Sequence, residues 1–154
     1  MAEKNTKKSW IFGGQKIKIF QAFRFLEHTS EIKFRAYGKT LKEVFENSAG
    51  AFSHFVGNGQ KISSEKKRKI EVEGKDYESL LYNFLDELIY LFDSEHFIVK
   101  KAEVKIEGKK LKAELFGDDS SKYSGLDHVK AATYAEMYVK KKRNGWEIQA
   151  VVDV

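Results

Sequence analysis

The chain has 154 residues, 28 of them Lys or Arg and 23 Asp or Glu, for a formal net charge of +5, and it contains no Cys and no Pro. That length suits a single domain, and the lack of Cys excludes disulfides, thiolate zinc sites and cysteine nucleophiles. The charge is uneven: among the first 20 residues Lys4, Lys7, Lys8, Lys16 and Lys18 face only Glu3, so most of the excess sits in a basic extension over residues 1–19, which is either a solvated end or a weak sign of RNA contact.

No apolar run approaches the ~20 residues of a membrane span. The run at Trp10–Phe12 is also too short for the apolar part of a secretory signal. A soluble, cytoplasmic chain without membrane contact is expected.

Past Gly13-Gly14, residues 16–25 alternate loosely and residues 31–37 alternate strictly, with Ile32, Phe34 and Ala36 on one side and Lys33 and Arg35 on the other. Both runs read as half-buried strands. Thr40 with Glu43 forms a capping box, opening a helix whose stripe is Leu41, Val44, Phe45, Ser48, Ala49, Phe52 and Phe55. Gly57-Asn58-Gly59 ends it. A short strand at 69–73 follows, with Ile70 and Val72 inward. Asp76 then caps a second helix with the stripe Tyr77, Leu80, Leu81, Phe84, Leu85, Leu88, Ile89 and Phe92, ending near Asp93 or Ser94, and His96 is placed at the start of the next strand. Strands at 97–107 and 111–116 flank a Gly108-Lys109 turn. Residues 117–127 read as a loop and 129–141 as a strand. Asn144-Gly145 reads as a type I′ turn, before a closing strand at 146–154 with Trp146, Ile148, Ala150 and Val152 on one face. The order β-β-α-β-α-β-β-β-β predicts an α+β fold, two helices packed on mostly antiparallel sheet, in one domain over residues 20–154.

Enzyme signatures are scarce. No glycine-rich loop opens a helix, no G-x-S-x-G elbow occurs, and His28, His54, His96 and His128 lack metal-ligand spacing; His54 reads as a packing residue on the first helix. Asp153, inside the apolar ending Ala150-Val151-Val152-Asp153-Val154, is either exposed at a fraying end or buried and in need of a partner. A hard cation such as calcium, which takes carboxylate and carbonyl oxygens, would supply one. Glu31 and the terminal carboxylate of Val154 are further oxygen donors.

Four blocks, in order, resemble the archease family. The first is Phe23-Arg24-Phe25-Leu26-Glu27-His28-Thr29-Ser30-Glu31-Ile32, continued by Gly38-Lys39-Thr40-Leu41-Lys42-Glu43-Val44-Phe45. The second is Leu80-Leu81-Tyr82-Asn83-Phe84-Leu85-Asp86-Glu87-Leu88. The third is Val129-Lys130-Ala131-Ala132-Thr133-Tyr134, and the last is Val151-Val152-Asp153-Val154. Together they span nearly everything from residue 20 onward. The resemblance implies a non-enzymatic accessory protein that promotes guanylylation and multiple turnover of a GTP-dependent, RtcB-type tRNA-splicing RNA ligase. It implies a divalent-metal cluster, with calcium the ion, at Glu31, Asp153 and Val154, and ligase activation through Lys130 and His28. Two departures stand out: Glu31 replaces the family's Asp, and Ala135 replaces the His after the Thr-Tyr pair. Two rival readings are a general chaperone or RNA-binding module using the basic extension, and a metal-dependent hydrolase using Glu31 and Asp153.

Overall fold

A computed structural model describes residues 21–26 and 31–154 in full, together with the main chain of three short strands before them. In chain order the elements are β1 (Lys4–Asn5), β2 (Trp10–Phe12), β3 (Gln15–Ile17), β4 (Phe23–Leu26), β5 (Glu31–Gly38), α1 (Leu41–Val56), β6 (Lys66–Glu73), α2 (Tyr77–Glu95), β7 (Phe97–Glu107), β8 (Lys110–Asp119), β9 (Ala131–Lys142) and β10 (Gly145–Asp153). From β4 onward the order is the one the hydrophobic periodicity predicts, and the class is α+β.

Strands β1-β4-β5-β10-β9 form one sheet and β6-β8-β7 a second, while β2 and β3 pair with each other; every pairing is antiparallel. The helices join the two sheets. Helix α1 packs on β4, β5 and β10 of the larger sheet and on β7 of the smaller, and α2 packs on β9 and on β6 and β7. One continuous core results, with Phe45 and Phe84 fully buried and their ring centroids 5.9 Å apart. Burying each such ring contributes roughly 2–3 kcal/mol of transfer free energy.

Local chemistry sets the element ends. Thr40 Oγ1 accepts the Glu43 N–H at 3.2 Å at the start of α1, and Asp76 with Ser79 forms a reciprocal capping box at the start of α2. Each of these removes an otherwise orphaned helical N–H. The two helices also quiet sheet edges, where unpaired main-chain donors invite other strands. Glu46 of α1 accepts the Val104 N–H of β7 at 2.9 Å, and Glu78 of α2 accepts the Val139 N–H of β9 at 3.1 Å.

Several boundaries differ from the periodicity reading. His96 is not in a strand; it ends α2 in the left-handed conformation (φ 53°), with its N–H donating to the Leu91 carbonyl. Strand β8 runs through Asp119, so the expected loop at 117–127 begins three residues late. Gly117 allows this, because a Cβ there would stand 2.0 Å from the Ile98 carbonyl oxygen where β7 shifts register between Val99 and Lys101. Arg143 and Asn144 form the last turn, and Gly145 is already paired with Lys142. Its φ of 140° and a Cβ position 2.3 Å from the Gly38 carbonyl oxygen require glycine there for close packing, not for a type I′ turn. Of the run at 16–25, Gln15–Ile17 and Phe23–Leu26 are separate strands, and residues 18–20 lie outside the described residues.

Candidate functional site

Antiparallel register brings the two acids of the sequence analysis together. Asp153, at the end of β10, pairs directly with Glu31 at the start of β5. Directly opposed residues hold their Cβ atoms about 5 Å apart. Ile32 and Val152 belong to the core, so alternation puts Glu31 and Asp153 on the face of the sheet turned away from the helices. Both are half-buried, and one carboxylate oxygen of Glu31 is closed off from solvent. Asp153 is not at a fraying end, since β5 and β9 pair with it from both sides. Val154 follows it, 42% exposed.

Lys130 arrives from the other side. It precedes β9 instead of lying inside a strand, and its N–H donates to the Asp153 carbonyl oxygen at 2.8 Å, which leaves the side chain exposed. The loop carrying it is pinned along its length. Asp118, 2% exposed, accepts from the Tyr123 hydroxyl at 2.8 Å and meets the Lys122 ammonium at 3.2 Å. The Tyr123 oxygen accepts the Ser63 N–H, Gln60 donates to the Ser124 carbonyl, and the Asp127 N–H donates to the Val56 carbonyl. The Tyr123 hydrogen bond, with help from the Asp119 N–H and Lys122, holds the Asp118 carboxyl below the usual carboxylate range. His28 lies outside the described residues.

Cations flank the acid pair on the same face. Lys33 is opposite Val151 and Arg35 opposite Gln149. Arg35 Nε donates to the Gln149 side-chain oxygen at 2.9 Å, and Gln149 Nε2 donates to the Glu136 carbonyl at 2.7 Å. Lys33 Nζ is 2.9 Å from the Glu136 carboxylate. Nearer the turn, the Tyr138 hydroxyl donates to Glu147, and burial with that carboxylate pushes its pKa well above the usual phenol value.

The feature that periodicity missed is the break in β9. Gln149 pairs with Tyr138 and Val151 with Thr133, so residues 134–137 bulge out opposite Ala150 alone. Thr133 builds the exit: its hydroxyl donates to the Val151 carbonyl at 2.9 Å and accepts the Ala135 N–H at 3.2 Å. Glu136 takes φ 53°. Tyr134 is thrown outward, 55% exposed, and stacks on Tyr82 of α2 at 4.3 Å with the rings 6° from parallel. The signal available in the sequence was a run, Thr133-Tyr134-Ala135-Glu136-Met137, in which alternation fails. Ala135 stands exposed in this bulge. His54 packs its ring 5.8 Å from those of Phe23 and Phe25, as a packing residue should.

Residues 23–154 match the family model described as the Archease protein family (MTH1598/TM1083). The chain belongs to the archease family. It is 43% identical over 135 residues to the protein archease of Pyrococcus abyssi, covering 83% of this chain and 95% of that one. To the protein archease of Pyrobaculum neutrophilum it is 39% identical over 140 residues, covering 86% and 95%. The solution structure of Methanobacterium thermoautotrophicum protein 1598 superposes with a TM-score of 0.71 at 26% identity, covering 86% of this chain and 99% of that one. An archease from Thermotoga maritima, whose crystal structure describes it as a possible chaperone, shares the fold with a TM-score of 0.59 at 18% identity, covering 84% and 94%. The archease fold of this chain therefore carries the acid pair, Lys130 and the Tyr134 bulge at one end and along one edge of its larger sheet. Among the described residues no helix is long and apolar enough to cross a membrane, and no three His, Asp or Glu residues converge as a metal-holding group.

Proposed function

We propose that this chain is an accessory protein, not itself an enzyme, that activates a GTP-dependent RNA ligase of tRNA splicing and lets it turn over repeatedly. The observation that carries the reading is the convergence of separated signature blocks. Glu31, Asp153 and Lys130 lie far apart in the sequence and meet at one sheet end through strand pairing and one main-chain hydrogen bond.

The donor set there is oxygen only, which suits a hard divalent cation such as calcium in kind. In number it is short: calcium takes about six to eight oxygens, so two side-chain carboxylates leave most positions to main-chain oxygens, Val154 among them, and to water. The extra methylene of Glu31 carries its carboxylate about an ångström further out than the family's Asp would. A divalent cation bound there would supply positive charge for phosphate oxygens. Glu31 and Asp153 would hold it, and the exposed Lys130 ammonium adds a mobile cation of its own for phosphate or for a ligase carboxylate. Such a surface can order a nucleotidyl-transfer site through charge and position without reacting.

The test is multiple-turnover RNA ligation by the cognate ligase with GTP and metal, with and without a substoichiometric amount of this chain. Product beyond one equivalent of ligase is expected, and Lys130→Ala and Asp153→Ala should each abolish most of the gain. No stimulation by the unaltered chain, or full stimulation by both variants, would sink the proposal.

A further inference from the structure

Helix α2 is electrically unlike the rest of the molecule. In a chain with 28 Lys and Arg residues, its 19 residues include Glu78, Asp86, Glu87, Asp93 and Glu95 and no Lys, Arg or His. Tyr82, Asp93, Asp86 and Tyr90 share one arc of the helix at 3.6-residue periodicity. Asp86, Asp93 and Tyr90 are exposed, Tyr90 by 51%. Burial, then Asp86 and Glu95, hold the Glu87 carboxyl above its usual range. Arg68 of β6 approaches only the far end, at 3.5 Å from Glu95.

The β9 bulge adds Tyr134 to the same arc by stacking it on Tyr82. Among the described residues, Tyr134 and Tyr90 are the exposed large aromatics. A bulge protects an edge strand from pairing, but that need is met without an aromatic ring pushed into water. The bulge is also built to hold its shape, through Thr133, the Gln149 amide and the Lys33–Glu136 ion pair. A preformed projection loses little entropy on binding.

We infer that Tyr134, Tyr82 and Tyr90, with Asp86 and Asp93, form a docking ridge for an arginine- and lysine-bearing surface of the protein partner. Tyrosine faces accept cations, and guanidinium groups pair with carboxylates in a fixed fork. Tyrosine and arginine are also the residues that anchor interfaces most often. The acidic arc repels nucleic acid, which sets this surface apart from an RNA site. The ridge begins on the same sheet edge as the candidate site, since only Ala131, Ala132 and Thr133 separate Lys130 from Tyr134. The inference rests on the proposed function in taking that partner to be the ligase: the ridge provides the grip while Glu31, Asp153 and Lys130 reach the ligase active site.

The test measures ligase affinity by biolayer interferometry and ligation turnover in parallel. It uses the full chain, the charge reversal Asp86→Lys/Asp93→Lys, the truncation Tyr134→Ser/Tyr90→Ser, and a control reversal elsewhere, Glu107→Lys on β7. All five positions are exposed, and thermal unfolding confirms that each variant folds. Both ridge variants should weaken ligase binding at least tenfold, with the charge reversal flattening the salt dependence. At saturating concentration they should restore full turnover, and the control should match the unaltered chain. If the unaltered chain stimulates the ligase and the ridge variants bind within twofold of it, the ridge is refuted while the proposed function stands. If binding depends on the ridge but no variant or parent stimulates turnover, the proposed function falls and the ridge stands. If the ridge variants lose only self-association in sedimentation, the surface joins copies of this chain and the inference is wrong.

Discussion

Replacing Thr133 with Val would test whether the β9 bulge is held by its hydroxyl. The two side chains match in shape and both are β-branched, so strand preference and packing are nearly unchanged. What is lost is a donor to the Val151 carbonyl at 2.9 Å and an acceptor for the Ala135 N–H at 3.2 Å. A neutral hydrogen bond contributes about 1 kcal/mol net. Val151 is fully buried while Ala135 is exposed, so the first loss is felt in full and water makes good part of the second. The expected cost is about 1.5 kcal/mol, which for a domain of this size lowers the melting temperature by about 3–6 °C. Thr133→Ser keeps both hydrogen bonds and gives up one half-buried methyl, at about 0.5 kcal/mol. Calorimetry on the three proteins reads both numbers. If the Val variant melts with the parent, or if the Ser variant is no more stable than the Val variant, the hydroxyl does not hold the bulge.

Other outcomes follow from the same geometry. Gly117→Ala drives a methyl into the Ile98 carbonyl at 2.0 Å and should cost about 3 kcal/mol; a urea-unfolding loss under about 1 kcal/mol would contradict the close approach. Asp118 has a folded-state pKa below its ordinary 3.8, so its contribution is present above that value and is lost as pH falls through the lower folded one. Asp118→Asn should therefore destabilise at pH 7, and the gap to the parent should close below about pH 4; a gap independent of pH would rule the linkage out. Glu87 has the opposite sign. Its folded pKa lies above 4.5, so ionisation disfavours the fold, and Glu87→Gln should slightly raise the melting temperature at pH 7. A fall would show that its charge is compensated.

Much of this molecule could be read without coordinates, and the reason is physical. Helices α1 and α2 satisfy their hydrogen bonds within a local stretch, so apolar spacing and the caps at Thr40 and Asp76 suffice to place them. The alternation of β5 likewise determines which face of that strand is buried. Strand ends were read less well, because Gly117 and Gly145 owe their positions to backbone that comes close only in three dimensions, at Ile98 and Gly38. The individual members of the candidate site were visible in the sequence through resemblance to a family. Their proximity was not, since Glu31 and Asp153 are separated by nearly the whole chain and meet only through the β5–β10 register. Tyr134 was visible in the sequence only as the end of the third block: its exposure depends on a bulge where periodicity fails, and its stacking partner sits on a helix some fifty residues earlier. Sequence alone determined the elements and their buried faces, because those are decided by neighbours along the chain. The tertiary structure decided which charges and rings share a surface, because that depends on which distant strands pair.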